Sequence, residues 1–553
     1  MKVYHFKNKK FLKGINIIYK PLLSLLFLNL LIFKPSNINK NSYTYTNTNI
    51  NTNINTNIST NINTNIKTNN KTDNKTNIKT NIKIKEISKV IQYKNQTLKL
   101  FIPPRKCLDL FPKTIYFSSK FRNYNETKNI KIETINLNEN NKSYLVTYIM
   151  RPRRNYYNYF EVLNSNGLIR FSYENYSHNL FIYARNFSQL RNKVIINEFQ
   201  KVYTFLNSNE FHHKDLLYQN YLAMKKIFKD DYNYMPETYC YPRDKNQIYT
   251  RFNNYTLDLN NLWMVKPVDK SIGSGIHFLN SLKNEIKKGK YFLITKFISK
   301  LDLIDNKKYD LRLYVLIAGL KPLRLYFYKK GLVRKATSVF NISMMEVNNR
   351  FMYLTNTGVN DKSKNYIFPN NSDDVKANIW NLDTYKNYLK SKNVDFDAIF
   401  KKIKDIAIKS VISFQKKLLI RNKNINEKNI YTLLGLDILI TDKFEPILLE
   451  INNRPYLGIL DKVDEPIKTN LFADTLNIVG ISLFSREKHY NILKRNYIED
   501  SVNNALCELY RPRGDYELIF PLKENIKKYK KFFIKNNRED VLFWKKIKLI
   551  KCK

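Results

Sequence analysis

The chain has 553 residues, 43% of them hydrophobic, and a formal net charge of +48 from 95 Lys and Arg against 47 Asp and Glu. That length and apolar share allow two to four domains and mean that the chain folds at least in part. The charge favours nucleic acid, an anionic membrane surface or an acidic protein, although abundant Asn, Lys, Ile and Tyr also match AT-rich coding, which makes composition drift an alternative source.

Lys-rich residues 2–13 precede Leu22–Phe33, LLSLLFLNLLIF. This run is shorter than the roughly 20 residues that span a bilayer, and suits a signal-type segment or a weak anchor. No A-x-A-like cleavage site follows, so a dispensable leader over 1–36 is the alternative to secretion or weak membrane association through residues 22–33. Residues 37–83 repeat NTNI and NIKT units with no period that could build a core, and are expected to be a disordered spacer. Between 84 and 200, runs such as YLVTYIM and NLFIYA alternate with polar turns, as in an N-terminal α/β domain. Apolar residues at helical spacing follow from Leu216 to Phe228. LWMVKPV, YFLITKFI, DLRLYVLIA and LRLYFY then read as strands, Phe396–Leu419 as a long helix, and 433–452 as a strand pair. From about Ser485 the chain reads as helical and basic, ending in a tail over 522–553. Cys107, Cys240, Cys507 and Cys552 are widely spaced with no CxxC pair, which argues against a disulfide framework or a zinc site. His212 and His213 lie in no HExxH motif.

Three stretches carry chemistry. In LLGLDILITDKFEPILLEINN, a loop of two or four residues centred on Lys443 and Phe444 places Asp437 opposite Glu450, with Asn452 on the same face. Two carboxylates about 5 Å apart repel unless a cation lies between them, and hard oxygen donors suit Mg²⁺. The bland alternative is a hairpin whose acids meet surface lysines. In LWMVKPVDKSIGSGIHFL, Lys266 on a strand precedes a loop with Gly273, Ser274 and Gly275, whose backbone N–H groups can approach phosphate. GxxxxGK[ST] is absent and a strand follows, so this is no P-loop, and an ordinary turn also uses glycine. In KKYDLRLYVLIAGLKPLRLYFYKKGLVRKAT, alternation puts Lys308, Asp310 and Arg312 on one face, with a hairpin partner ending near Arg334. Arginine forks match carboxylates and phosphates, though a salt-bridged sheet face reads the same way.

In this order, HHKDLLYQNYLAMKKIF…YMPETYCYP, WMVKP…GSGI, ITKFIS, KYDLRLYVLI…PLRLYFYKKGLVRKAT, MYLTNTGVN, GLDILI…PILLEINNRP and RGDYELIFP resemble the tubulin–tyrosine ligase-like family. The resemblance covers about 201–521 and implies an α/β (α+β) fold: an ATP-grasp ligase core behind the N-terminal α/β domain and the Asn-rich tail. It implies ATP and Mg²⁺ as cofactors, with the metal on Asp437, Glu450 and Asn452. Lys266, Gly273 and Gly275 would hold phosphate, and Thr295, Lys296, Phe297 and Ile298 the adenine. Lys308 and Asp310 would also line the nucleotide site. Arg312, Arg334 and Asn356 would face the reacting carboxylate, its acyl phosphate or the incoming amino acid.

Within the family, the look is that of the glutamylase branch. This implies free glutamate as co-substrate, acidic tubulin C-terminal tails on microtubules as acceptor, and no nucleic acid partner. The implied location is the cytoplasm and microtubule cytoskeleton, including a basal body or axoneme. A cationic enzyme suits such a tail, and Lys523–Lys553 would hold the microtubule surface. A tyrosine or glycine ligase, or an inactive microtubule-binding relative, is the alternative. The chain departs from the family pattern at Ile272 and Ser274, where basic residues are usual, at Asp361 in place of lysine, and in NNRPYLG.

Overall fold

The computed structural model describes residues 96–122, 130–138, 144, 146–150, 157–170, 178–182, 199–268, 270–287, 289, 291–423, 427–484, 497–533 and 536–549. The leader, the low-complexity spacer and the apolar run at 22–33 lie outside them. All described residues belong to one compact unit, Ile91–Lys553.

Strands β1 (Gln96–Phe101), β2 (Thr114–Ile115) and β3 (Ile132–Leu137) form a small antiparallel sheet in the order β2-β1-β3. β4 (Thr147–Met150), β5 (Ile169–Arg170), β6 (Leu180–Ile182) and β7 (Lys201–Tyr203) then run parallel to one another. β8 (Thr238–Tyr241), β9 (Trp263–Pro267), β10 (His277–Phe278) and β11 (Phe292–Lys296) make a four-stranded sheet in the order β10-β9-β11-β8. The remaining strands are β12 (Tyr309–Leu320), β13 (Leu323–Tyr328), β14 (Leu332–Lys335), β15 (Ile379–Asn381), β16 (Ile430–Ile440), β17 (Pro446–Asn453) and β18 (Tyr516–Phe520). Among the described residues these join β4–β7 in one eleven-stranded sheet, whose main path is β15-β14-β12-β16-β7-β6-β4-β5.

Helices α1 (Lys214–Phe228), α2 (Thr357–Asn360), α3 (Phe396–Arg421), α4 (Asp464–Val479), α5 (Tyr497–Glu508) and α6 (Arg538–Leu549) frame these sheets. Period-2 alternation in β12 sends Leu311, Leu313, Val315 and Ile317 into one core with α1, α3, α5 and α6. It sends Tyr314, Leu316 and Ala318 into a second core with α4. Buried on both faces, β12 and β16 therefore read as near-continuous apolar runs. The α3 helix buries Ile399, Ile403, Ile406, Ala407, Val411, Phe414 and Leu418 at three- and four-residue spacing. Its start is capped by Asp395, whose carboxylate accepts from the Asp397 and Ala398 N–H groups. That helix was expected over 396–419.

Four expectations change. The boundary at 200 falls between β6 and β7, neighbours in the large sheet, because β7 pairs in parallel with β16 some 230 residues later in sequence (Val202 with Ile430). The last segment contains a strand as well as helices: β18 pairs with β13. The stretch after 521 is no free tail, since Phe532, Phe543, Trp544 and Ile547 sit in the larger core, and Asp540 accepts a hydrogen bond from the Leu323 N–H. Finally, Cys107 and Cys507 form a disulfide across 400 residues of sequence, with Cα atoms 5.7 Å apart. Spacing along the chain carries no information about a pair that tertiary folding brings together. No helix among the described residues is long and apolar enough to cross a membrane.

Candidate functional site

The face of β12 that is apolar at Ala318, Leu316 and Tyr314 becomes polar at Arg312 and Asp310, and Lys308 follows just before the strand. On β16 the corresponding face runs through Leu433 and Gly435 to Asp437. Register pairs Arg312 with Asp437, Asp310 with Arg334 and Asp437 with Glu450. Gly435 lets Pro455 pack against the strand beside this face: a Cβ there would lie 2.8 Å from the Pro455 Cβ.

The hairpin reaches its register by a route the loop arithmetic did not include. The turn spans 441–445 and is centred on Lys443 alone, so Ile440 pairs with Pro446 and Ile438 with Leu448. Continued unbroken, that register would set Leu449 opposite Asp437. A β-bulge between Asp437 and Ile438 leaves Leu449 as the extra residue and turns Glu450 to face Asp437. Asn452 shares the face, with its Nδ2 3.4 Å from Asp437 Oδ2 and 3.2 Å from Glu450 Oε1.

The charges form a buried network. Arg312 donates from Nε and Nη2 to the two Asp437 oxygens at 2.6 and 3.1 Å. Arg334 donates twice to Asp310 at 2.7 Å and lies 3.1 Å from Asp437 Oδ2. Asp310 also accepts from Thr355 Oγ1 at 2.6 Å. Burial pushes the Asp437 carboxyl up, but the guanidinium groups of Arg312 and then Arg334 outweigh it and hold the group well below the usual carboxylate range. Glu450 moves the other way, raised first by burial and then by the Asp437 charge; Lys214, 3.9 Å away, opposes this.

A cleft opens on this face and is also lined by the four-stranded sheet. Lys266 enters it from β9 and Lys308 from the approach to β12. Burial lowers both amines to about 8, against the partial support of Glu450 for Lys266 and of Asp310 for Lys308. The Lys308 ammonium donates to the Tyr353 carbonyl at 2.8 Å and stands 5.2 Å from the Phe297 ring centroid. Gly273 has φ +67, and a Cβ on it would lie 3.0 Å from Asn356 Oδ1, so a side chain would meet both backbone strain and a cleft-lining amide. Thr295, Lys296, Phe297 and Ile298 form one edge of the cleft. The Lys296 and Phe297 N–H groups are committed to the carbonyls of Glu237 and Leu262.

Of the residues singled out in the sequence, Lys266, Gly273, Thr295, Lys296, Phe297, Ile298, Lys308, Asp310, Asn356, Asp437 and Glu450 line the cleft. Arg312, Asn452 and Gly275 adjoin these. Arg334 is only 6% exposed and is tied to two aspartates, which places it behind the wall rather than against a ligand. Sequence reading missed Lys214, whose Nζ donates to the Lys270 carbonyl at 2.9 Å, and Arg350, which donates to the Gly273 carbonyl at 2.7 Å. It also missed Thr355. A lysine on the first turn of a polar helix face and a threonine beside an asparagine carry no local signal of a cleft.

The family model described as Tubulin-tyrosine ligase family matches residues 192–489. Among curated proteins, the chain is 34% identical over 294 residues to Tubulin polyglutamylase TTLL5 of Mus musculus, covering 52% of this chain and 21% of that one. It is 31% identical over 299 residues to Tubulin monoglutamylase TTLL4 of Mus musculus, covering 53% and 24%. It is 29% identical over 367 residues to Tubulin polyglutamylase TTLL6 of Mus musculus, covering 61% and 43%. The chain thus spans less than half the length of each of these relatives. The matched segment runs through the cleft, the carboxylate hairpin and the glycine loop, and by that match the chain belongs to the tubulin–tyrosine ligase family.

Proposed function

We propose that the chain is an ATP-dependent, Mg²⁺-requiring amino-acid ligase with an ATP-grasp core, which joins free glutamate to glutamate side chains of acidic tubulin tails. The observation that carries the reading is the convergence of Asp437, Glu450 and Asn452 on one sheet face at a cleft that also holds Lys266, Lys308 and a glycine loop. The relatives named as tubulin polyglutamylases and monoglutamylases support the substrate class.

The donor set fits a hard divalent cation. Glu450 is raised by burial and then by the facing Asp437 carboxylate, a conflict that a shared cation relieves, and the Asn452 amide can present its oxygen by a half-turn about χ2. Bound Mg²⁺ would neutralise charge on a transferring phosphoryl group. Arg312 and Arg334 keep Asp437 ionised and aimed at the cleft. Lys266 and Lys308, charged below about pH 8, supply point charges to the phosphates. With the Lys296 and Phe297 N–H groups already used, the hinge would read a base through its carbonyls and the Ile298 N–H.

Chemically, phosphoryl transfer to a carboxylate creates an acyl phosphate with a good leaving group, which an amine then displaces to form the amide. In this reading Asn356, which lines the cleft, and Arg312, held against Asp437, would face that carboxylate. The cationic chain suits an acidic acceptor and a microtubule-associated, cytoplasmic location. The test is incorporation of labelled glutamate into tubulin by the wild type and by Asp437→Asn. Label should enter tail glutamates only with the wild type, whereas equal incorporation by the variant would overturn the reading.

A further inference from the structure

The glycine loop has a gap in its charge and a residue placed to fill it. In Lys270–Gly275, KSIGSG, the single ionisable side chain is Lys270. Ile272 sits at φ 57, a left-handed conformation unusual for a β-branched residue, and is 66% exposed. Its Cγ2 lies 2.8 Å from the point where a Cβ on Gly358 would stand, so the side chain leans on α2. Arg350 is engaged with the Gly273 carbonyl and steadies the loop's backbone.

Lys270 behaves differently. Its carbonyl accepts from Lys214 Nζ at 2.9 Å, which ties its backbone to the start of α1. Its side chain folds back over the second glycine: Cδ and Nζ lie 3.4 and 3.6 Å from a Cβ built on Gly275, where φ is +73. Pro267 Cγ flanks the same point at 3.0 Å, and the Ser274 and Ile276 N–H groups are given to the Ser271 and Gly273 carbonyls. An ammonium beside exposed glycine backbone can still receive an anionic oxygen, which the glycine's own peptide N–H can share. Lys270 lines the same cleft as Lys266 and Lys308.

We propose that Lys270 is the phosphate-binding cation of the glycine loop, doing from outside the glycine pair what neither Ile272 nor Ser274 can do within it, and that Lys214 positions its backbone. This inference rests on the nucleotide reading of the cleft. The plain alternative is a solvated surface lysine, and nucleotide affinities separate the two. Dissociation constants for ATP, ADP and adenosine would be measured by equilibrium titration of the full chain, as wild type, Lys270→Gln and Lys270→Arg. Lys270→Gln should weaken ATP about tenfold, the size expected for one partly exposed charge-assisted hydrogen bond. It should leave adenosine unchanged, and Lys270→Arg should stay within about threefold of the wild type. Unchanged ATP affinity in Lys270→Gln, or an equal loss for adenosine, overturns the role of Lys270. If the wild type shows no preference for ATP over adenosine, the nucleotide reading itself fails.

Discussion

Replacing Arg334 with Met tests whether the buried network behind the cleft holds Asp437 in place. The guanidinium makes two 2.7 Å bonds to Asp310 and a 3.1 Å contact to Asp437. Its loss leaves Asp310 with Thr355 and Asp437 with Arg312. Removing one partner of a buried ion pair typically costs about 3–5 kcal/mol. A stranded carboxylate can escape by taking a proton, which at pH 7 costs about 1.4 kcal/mol for each pH unit above an ordinary value near 4, or roughly 4 kcal/mol. At pH 5 the same escape costs only about 1.5 kcal/mol, so the deficit should shrink by roughly 2 kcal/mol. In the wild type the depressed Asp437 keeps its pairing at both pH values, because that stabilisation is lost only below the unfolded carboxylate range, so the change between pH 7 and pH 5 belongs to the stranded carboxylate of the variant. Urea unfolding of wild type and Arg334→Met at pH 7 and pH 5, followed by tryptophan fluorescence, reads the difference. A deficit below about 1 kcal/mol at pH 7, or one that does not shrink at pH 5, would refute the reasoning.

Nucleotide affinity should depend on pH through Lys266 and Lys308, both lowered to about 8 in the free protein. A polyanion favours their charged forms, so affinity should be level below about pH 7 and fall above it. Between pH 7 and 9 the loss is about tenfold for each lysine that the ligand needs, which titration of ATP at fixed ionic strength would measure. Glu450→Gln should remove most of the Mg²⁺ dependence of ATP binding, so that a chelator weakens the wild type by tenfold or more and barely affects the variant. Gly273→Ala puts a Cβ at φ +67 and 3.0 Å from Asn356 Oδ1, and should cost about 1–3 kcal/mol in thermal stability while weakening ATP.

Much of the site was legible in the sequence because its residues lie on long strands with strict alternation. Asp310 and Arg312 share a face by that rule alone, and hairpin pairing brought a partner strand ending near Arg334; the Arg312–Asp437 pair, 125 residues apart, was not foreseen. The Asp437–Glu450 pair was reached through two unseen features that cancel: a turn centred half a residue earlier than expected, which shifts each pairing by one residue, and a bulge at Leu449 that restores the pairing. What stayed hidden depends on contacts distant in sequence. Nothing local marks Val202 as the partner of Ile430, Cys107 as the partner of Cys507, or Trp544 as part of the same core as Leu313. Arg334 was legible as the end of a partner strand but neither as the residue opposite Asp310 nor as a buried one, because alternation assigns a face and not a depth.

The most direct measurement is mass spectrometry of tubulin tails after incubation of the full chain with microtubules, ATP, Mg²⁺ and, separately, glutamate, glycine and tyrosine. The account predicts added glutamate on tail glutamates, dependent on ATP and absent with Asp437→Asn. Addition of glycine or tyrosine instead would contradict the substrate, and no addition of any of the three by a wild type that binds ATP would contradict the ligase.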